Sequence, residues 1–122
     1  MSIAGVAALV TQTVLGLVGL VAGGAKVTHQ EKQVDEFRRY GYPQWFRIGT
    51  GLTEIGAGIG LIAGLVWTPE LTAVGALLLS GVTAGAVVTH IRIDDPPSKT
   101  AVPAAVFLLS AALLATRPLS LV

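Results

Sequence analysis

Four stretches of this chain, residues 3–26, 48–67, 71–91 and 101–117, are apolar and almost free of charge. A helix needs about 20 such residues, at roughly 1.5 Å rise each, to cross a hydrocarbon core of about 30 Å. Each stretch therefore reads as a membrane span. No segment alternates apolar and polar residues with period two, which excludes a β-barrel. Lys26 closes the first span, Pro69 and Glu70 make a tight turn between the second and third, and Asp94, Asp95, Pro96 and Pro97 stop the third. The fourth reaches Arg117 and Pro118 after only about 16 strongly apolar residues. It either crosses a thinned bilayer or continues through Leu119, Leu121 and Val122 with Arg117 snorkelling. The predicted fold is all-α: one domain over residues 1–122, a four-transmembrane-helix bundle with a short interfacial amphipathic segment between its first two spans.

Composition agrees. Of 122 residues, 52% are hydrophobic and 12% charged, with a mean hydropathy of +0.73; a soluble domain of this size carries about 25% charge to cover its surface. The formal charge of +1 supplies no field for nucleic acid, which is excluded as a partner. Cysteine is absent, which removes disulfides, thiolate nucleophiles and sulfur ligands. The N-terminus lacks a positive n-region, and its apolar run from Ile3 to Ala25 is too long for a signal-peptide core. It reads as a retained span.

Lys26, Lys32, Arg38, Arg39 and Arg47 fall between spans one and two, Arg92 and Lys99 between spans three and four, and only Arg117 on the other side. The positive-inside rule then puts both long loops in the cytoplasm and both termini outside, in a bacterial cytoplasmic membrane. Within the first loop, Val34 and Phe37 stand three residues apart in a polar run, as in a short amphipathic helix lying in the interface. Tyr40, Tyr42, Trp45 and Phe46 follow just before span two. They form either an aromatic belt at the headgroups or a gate over a binding site, in which case Tyr42 and Trp45 touch the ligand.

Small residues recur at four-residue spacing: Gly19 and Gly23, then Gly56, Gly60 and Gly64, then Gly81 and Gly85. Such faces let helices approach closely in lipid. Gly56, Gly58 and Gly60 do not make a dinucleotide loop, since they lie inside an apolar helix and miss the required spacing.

Glu54 is the most informative residue. A charged carboxyl within a span costs roughly 2.5 to 3.5 kcal/mol to insert, so it faces the bundle interior, either tying helices together or serving a ligand. Alternating span directions bring Lys26, Glu54 and His90 to one depth, with Thr50, Thr53 and Thr89 around them. A carboxyl in apolar surroundings and an imidazole beside it can exchange protons near neutral pH, and Lys26 either pairs with Glu54 or binds an anionic or carbonyl oxygen. His90 alone would read as a helix C-terminal cap, and His29 as a solvated side chain. Two histidines and one glutamate at these spacings match no metal motif, so no metal is expected.

The run GGAKVTHQEKQVDEFRRYGYPQWFRIGTGLTEIGAGIGLIAG, followed by GAVVTHIRIDDP and a closing helix ending at Arg117 and Pro118, resembles the DoxX-like family of small four-helix bacterial membrane proteins. The specific parts are Gly-x-x-Lys at 23 to 26, Gly-Tyr-Pro at 41 to 43, Glu54 in a Gly-rich span, and Gly85-Ala86 leading to Thr89-His90. The resemblance implies a four-helix fold. The family takes its name from a subunit of a thiosulfate:quinone oxidoreductase, and relatives are associated with quinone-linked chemistry and oxidative-stress complexes.

Two functions stay open. One is binding of a small lipophilic molecule, of quinone or isoprenoid type, in a polar pocket within the bundle, as an accessory subunit of a redox system. The other is an acid–base enzyme, an isomerase or epoxide-opening hydrolase or cyclase, using Glu54 and His90 on a lipophilic substrate. No cofactor is expected in either case. The partners expected are the bilayer, the lipophile, and a second copy or a different membrane subunit. A transporter would need a dimer to make a pathway.

Overall fold

The computed structural model describes residues 2–117, and among these the only regular elements are five helices: α1 (Ile3–Val27), α2 (Glu31–Tyr40), α3 (Gln44–Val66), α4 (Glu70–Arg92) and α5 (Pro97–Thr116). All but α2 are long and apolar enough to cross a membrane. Helix α5 starts at Pro97, four residues before the apolar run, because a proline at the first helical position gives up no hydrogen bond. Its 20 residues span about 30 Å, but the first turn holds Ser98, Lys99 and Thr100, so its apolar part remains the run from residue 101. The expected continuation through Leu119, Leu121 and Val122 lies outside the described residues.

Helix ends follow local chemistry. The Ser2 hydroxyl accepts from Gly5 N–H (3.0 Å) and starts α1. Gly41 ends α2 with φ 85°, the left-handed conformation that favours glycine, and Tyr42 N–H closes back onto the Phe37 carbonyl (3.1 Å). Asp94 takes φ 56° in the turn between α4 and α5, a position an aspartate tolerates better than most side chains.

The spans pack in chain order, α1 on α3, α3 on α4 and α4 on α5, with α1 and α5 touching lightly. Leu15, Ala57, Leu61, Ala76, Leu79 and Leu113 form the shared core, while Val14, Leu17, Val21, Ile59, Leu77, Val88 and Leu108 point outward. Lipid solvates such an exterior, so association of the spans depends on close packing and internal hydrogen bonds.

Close packing is achieved mainly at a spacing of seven. A Cβ on Gly58 would sit 2.6 Å from the Gly16 carbonyl oxygen, and one on Gly23 would sit 2.5 Å from that of Gly51. Gly16 and Gly23 of α1 thus face Gly51 and Gly58 of α3. A step of seven residues rotates a helical position by only about 20°, whereas a step of four rotates it by about 40°. The four-residue series is kept only in part: Gly19, like Gly23, packs on α3, where a Cβ would sit 2.7 Å from the Glu54 carbonyl oxygen. Gly60 and Gly64 meet Gly75 and Thr72 of α4, but around Gly56, Gly81 and Gly85 there is open space. These three do not serve the intramolecular packing that their spacing suggested.

Hydrogen bonds reinforce both ends of the stack. Gln12 of α1 donates to the Leu61 carbonyl (2.9 Å) and to Thr72 Oγ1 (2.7 Å), joining three helices. Ser80 donates to Ser110 (3.1 Å), joining α4 to α5.

Candidate functional site

Lys26 lies in the last turn of α1, where a lysine ordinarily reaches toward water. Helical side chains, however, tilt toward the N-terminus of their helix, and here that direction leads into the bundle. Gly51 clears the path, since a Cβ there would lie 2.8 Å from Lys26 Cβ. Glu54 follows one turn later on the same face of α3. The Lys26 ammonium stands 2.9 Å from Glu54 Oε1, with side-chain exposures of 18% and 7%. Oε1 is buried and has no partner besides this ammonium. Removing one member of a buried pair costs about 3–5 kcal/mol, because the other charge is left uncompensated.

Arg47 fixes the end of α1 above this pair. It is 3% exposed; its Nη1 donates to the Lys26 carbonyl and, at 3.4 Å, to that of Thr28, and its Nε donates to Gln44 Oε1 at 2.7 Å. The carbonyl end of a helix carries partial negative charge, which suits a guanidinium.

A second polar cluster joins α2 to the turn between α4 and α5. Asp95 receives Arg39 Nη1 at 2.6 Å on one oxygen and lies 2.5 Å from His90 Nδ1 through the other. Arg39 also holds Glu36 (2.8 Å), which accepts from the Tyr40 hydroxyl (3.0 Å) and lies 3.8 Å from Lys99. Arg92 donates to the Tyr40 carbonyl (2.6 Å), and the Tyr42 hydroxyl lies 2.8 Å from Thr89 Oγ1. The hydrogen bond from Arg39, with that of His90, holds the Asp95 carboxyl down to about 2. Arg39 likewise lowers Glu36, whereas burial pushes the Tyr40 phenol up, helped by the neighbouring Glu36 carboxylate.

Helix α2 is amphipathic as expected, but its apolar residues are covered by protein, not immersed in headgroups. Val34 and Phe37 are 3% and 4% exposed. The Phe37 ring packs within 5.2 to 6.4 Å of those of Tyr40, Tyr42 and Phe46.

The six-residue constellation around Glu54 thus resolves into separate parts. Lys26 and Glu54 meet. His90 contacts Asp95 and stands edge-on to Tyr40 at 5.6 Å, and Thr89 pairs with Tyr42. The Thr50 and Thr53 hydroxyls are turned onto carbonyls of their own helix, Phe46 (2.7 Å) and Gly49 (2.9 Å). Trp45 is 72% exposed, as a headgroup anchor would be; His29 is exposed. Sequence reasoning passed over Arg47, Asp95, Arg39 and Gln12. Gln12, an amide inside the first apolar run, carried a usable signal, because an unsatisfied amide in lipid is costly.

An apolar-faced helical bundle that draws an ion pair inside is the build of a small polytopic membrane protein. The chain belongs to the DoxX-like family, whose profile matches residues 10–113. It is 38% identical over 73 residues to the uncharacterized protein YdgD of Bacillus subtilis (strain 168), a match that covers 58% of this chain and 62% of that protein. The chain thus spans less than two thirds of that relative's length. No solved structure matches.

Proposed function

We propose that this DoxX-like membrane protein binds a small lipophilic molecule of quinone or isoprenoid type, whose polar head docks at Lys26 and Glu54, and that it works as the accessory subunit of a redox system. The observation carrying this reading is the buried pair itself: Glu54 Oε1 has no partner but the Lys26 ammonium, and that ammonium retains donors for a ligand oxygen. Membrane charges held inside a bundle mark sites of function by default. Mass spectrometry of the lipophile that copurifies with the protein, compared with a Glu54→Gln variant, tests it. Loss of the lipophile from a variant that keeps its helical content supports the site, whatever stability the broken pair costs. Lower stability with the lipophile retained reduces the pair to a structural tie.

A second reading, acid–base catalysis on a lipophilic substrate, is favoured by the contact of Asp95 with His90. A carboxylate on Nδ1 holds that nitrogen as N–H and leaves Nε2 to exchange a proton. Such an enzyme would use His90, held by Asp95 and apart from Glu54, in an isomerisation or epoxide opening. Turnover of a copurified lipophile, lost in His90→Gln, separates it from simple binding.

The Lys and Arg asymmetry supports a bacterial cytoplasmic membrane with both long loops inside and both termini outside. Rapid reaction of a Lys32→Cys variant with an impermeant thiol reagent on intact cells would refute that orientation. Exposed Gly81 and Gly85 leave α4 with a small-residue face suited to a second copy or another membrane subunit. Cross-linking in native membranes tests that assembly.

A further inference from the structure

We propose that α2 is a hinged lid over the Lys26–Glu54 end of the bundle and that Asp95 is its catch. The proposal rests on the reading of Lys26 and Glu54 as a ligand site and adds how that site is closed. Helix α2 is joined to α1 through Thr28, His29 and Gln30 and to α3 through Gly41, Tyr42 and Pro43, so it bridges the very ends of α1 and α3 that carry Lys26 and Arg47. Both connections are short and irregular, and Gly41 holds a positive φ; a few such residues suffice for a hinge.

The underside of the lid is apolar and the fastening is ionic. Val34 and Phe37 are buried beneath α2, yet the helix packs on α3 sparingly and on α1 less. Besides the ring contacts of Phe37 with Phe46 and of Tyr40 with His90, its ties to the rest of the fold are polar: Arg39 to Asp95 at 2.6 Å, the Tyr40 carbonyl to Arg92 at 2.6 Å, the Val34 carbonyl to Gln44 Nε2 at 3.2 Å, and Glu36 to Lys99 at 3.8 Å. Asp95 holds α2 through one oxygen and His90 of α4 through the other. A residue that grips both moving and fixed parts is where the closed state is decided. Exposed ion pairs contribute little, but one hydrogen-bonded to a charged partner at this distance contributes enough to shift a local opening equilibrium several-fold.

The chain lacks cysteine, so a single Val34→Cys thiol reports opening directly through its reaction with a water-soluble maleimide. Labelling is expected to be slow in that variant and about tenfold faster when Asp95→Asn or Arg39→Gln is added, equivalent to about 1.4 kcal/mol in the opening equilibrium. Arg39→Lys should restore most of the protection. A Ser110→Cys thiol, fully buried among the spans, should keep its rate in all backgrounds. Unchanged labelling at position 34, or a parallel rise at position 110 that signals general loosening, overturns the lid. Release of decylubiquinone from the detergent-purified protein should accelerate by a similar factor in Arg39→Gln, with equilibrium binding altered less than twofold. Release that stays constant while position 34 opens overturns α2 as the route. If the unaltered protein binds no decylubiquinone, the functional reading fails, and the labelling rates still decide whether α2 opens.

Discussion

Two glycines on α3, two residues apart, should respond to the same substitution in opposite directions. At Gly58 an added Cβ meets the Gly16 carbonyl oxygen at 2.6 Å and Leu20 N and Cγ at 2.9 Å. Real Cβ atoms essentially never approach within 3.0 Å, so α1 and α3 must part by roughly 0.4 Å, and the obstacle is helix backbone that cannot rotate away. Overpacking of this kind costs about 1–3 kcal/mol, while alanine regains up to about 1 kcal/mol over glycine in a helix. Gly58→Ala should therefore destabilise by up to about 2 kcal/mol net. Gly56→Ala meets nothing within 4 Å and should be neutral or stabilising by about 0.5–1 kcal/mol from helix propensity. Gly60→Ala, where the nearest atoms of Gly75 lie at 3.3 Å, should fall between them. Equilibrium unfolding in mixed micelles, followed by helical circular dichroism, gives the three differences. Equal effects at positions 56 and 58, or a stabilised Gly58→Ala, would refute the seven-residue packing of α1 on α3.

The polar tie at the other end of the spans is testable the same way: Gln12→Leu removes donors to Leu61 and Thr72 and should cost about 0.6–1.7 kcal/mol, read as a lower midpoint in the same unfolding experiment. The docking of α2 should also depend on pH. The Asp95 carboxyl is held down to about 2 from a reference of 3.8, and Glu36 is lowered in the same sense by Arg39. A depressed folded-state value means the contribution is present above the unfolded value and lost as pH falls through the folded one. The aromatic near-ultraviolet circular dichroism of the Phe37, Tyr40 and Tyr42 cluster should therefore hold from neutrality to about pH 4 and fade between about 4 and 2. In Asp95→Asn the signal should already be reduced at pH 7.

The four spans were legible because a hydrocarbon core imposes a length and an apolar content that sequence displays directly. The contact of Lys26 with Glu54 was legible for a related reason: topology fixes depth, and an intramembrane carboxylate requires a partner at its own depth. Azimuth is a different matter. Whether a residue at the right depth faces Glu54 or a different neighbour depends on how far each helix is rotated, and no rule of spacing fixes that across separate elements. His90 fails on depth as well: α3 and α4 pair Gly60 with Gly75 and Gly64 with Thr72, which leaves His90 about two turns beyond the level of Glu54, where its ring meets Asp95, a residue that sequence presented only as part of a helix stop. Thr50 and Thr53 show a second limit. In an apolar surround a hydroxyl bonds the carbonyl four residues back on its own helix, as both do here, and so is withdrawn from any shared site. The glycines show a third, because a four-residue repeat and a seven-residue repeat overlap in a Gly-rich span and only the partner helix decides between them. What register and rotation decided was therefore which polar groups share a cluster. It separated a buried pair, Lys26 with Glu54, from a fastening at the end of the bundle, Arg39 with Asp95 and His90. Separate clusters can be altered one at a time, so Arg39→Gln should shift the opening of α2 by the same free energy, within about 0.5 kcal/mol, with and without Glu54→Gln. Strong coupling between the two would mean that the clusters act as one site after all.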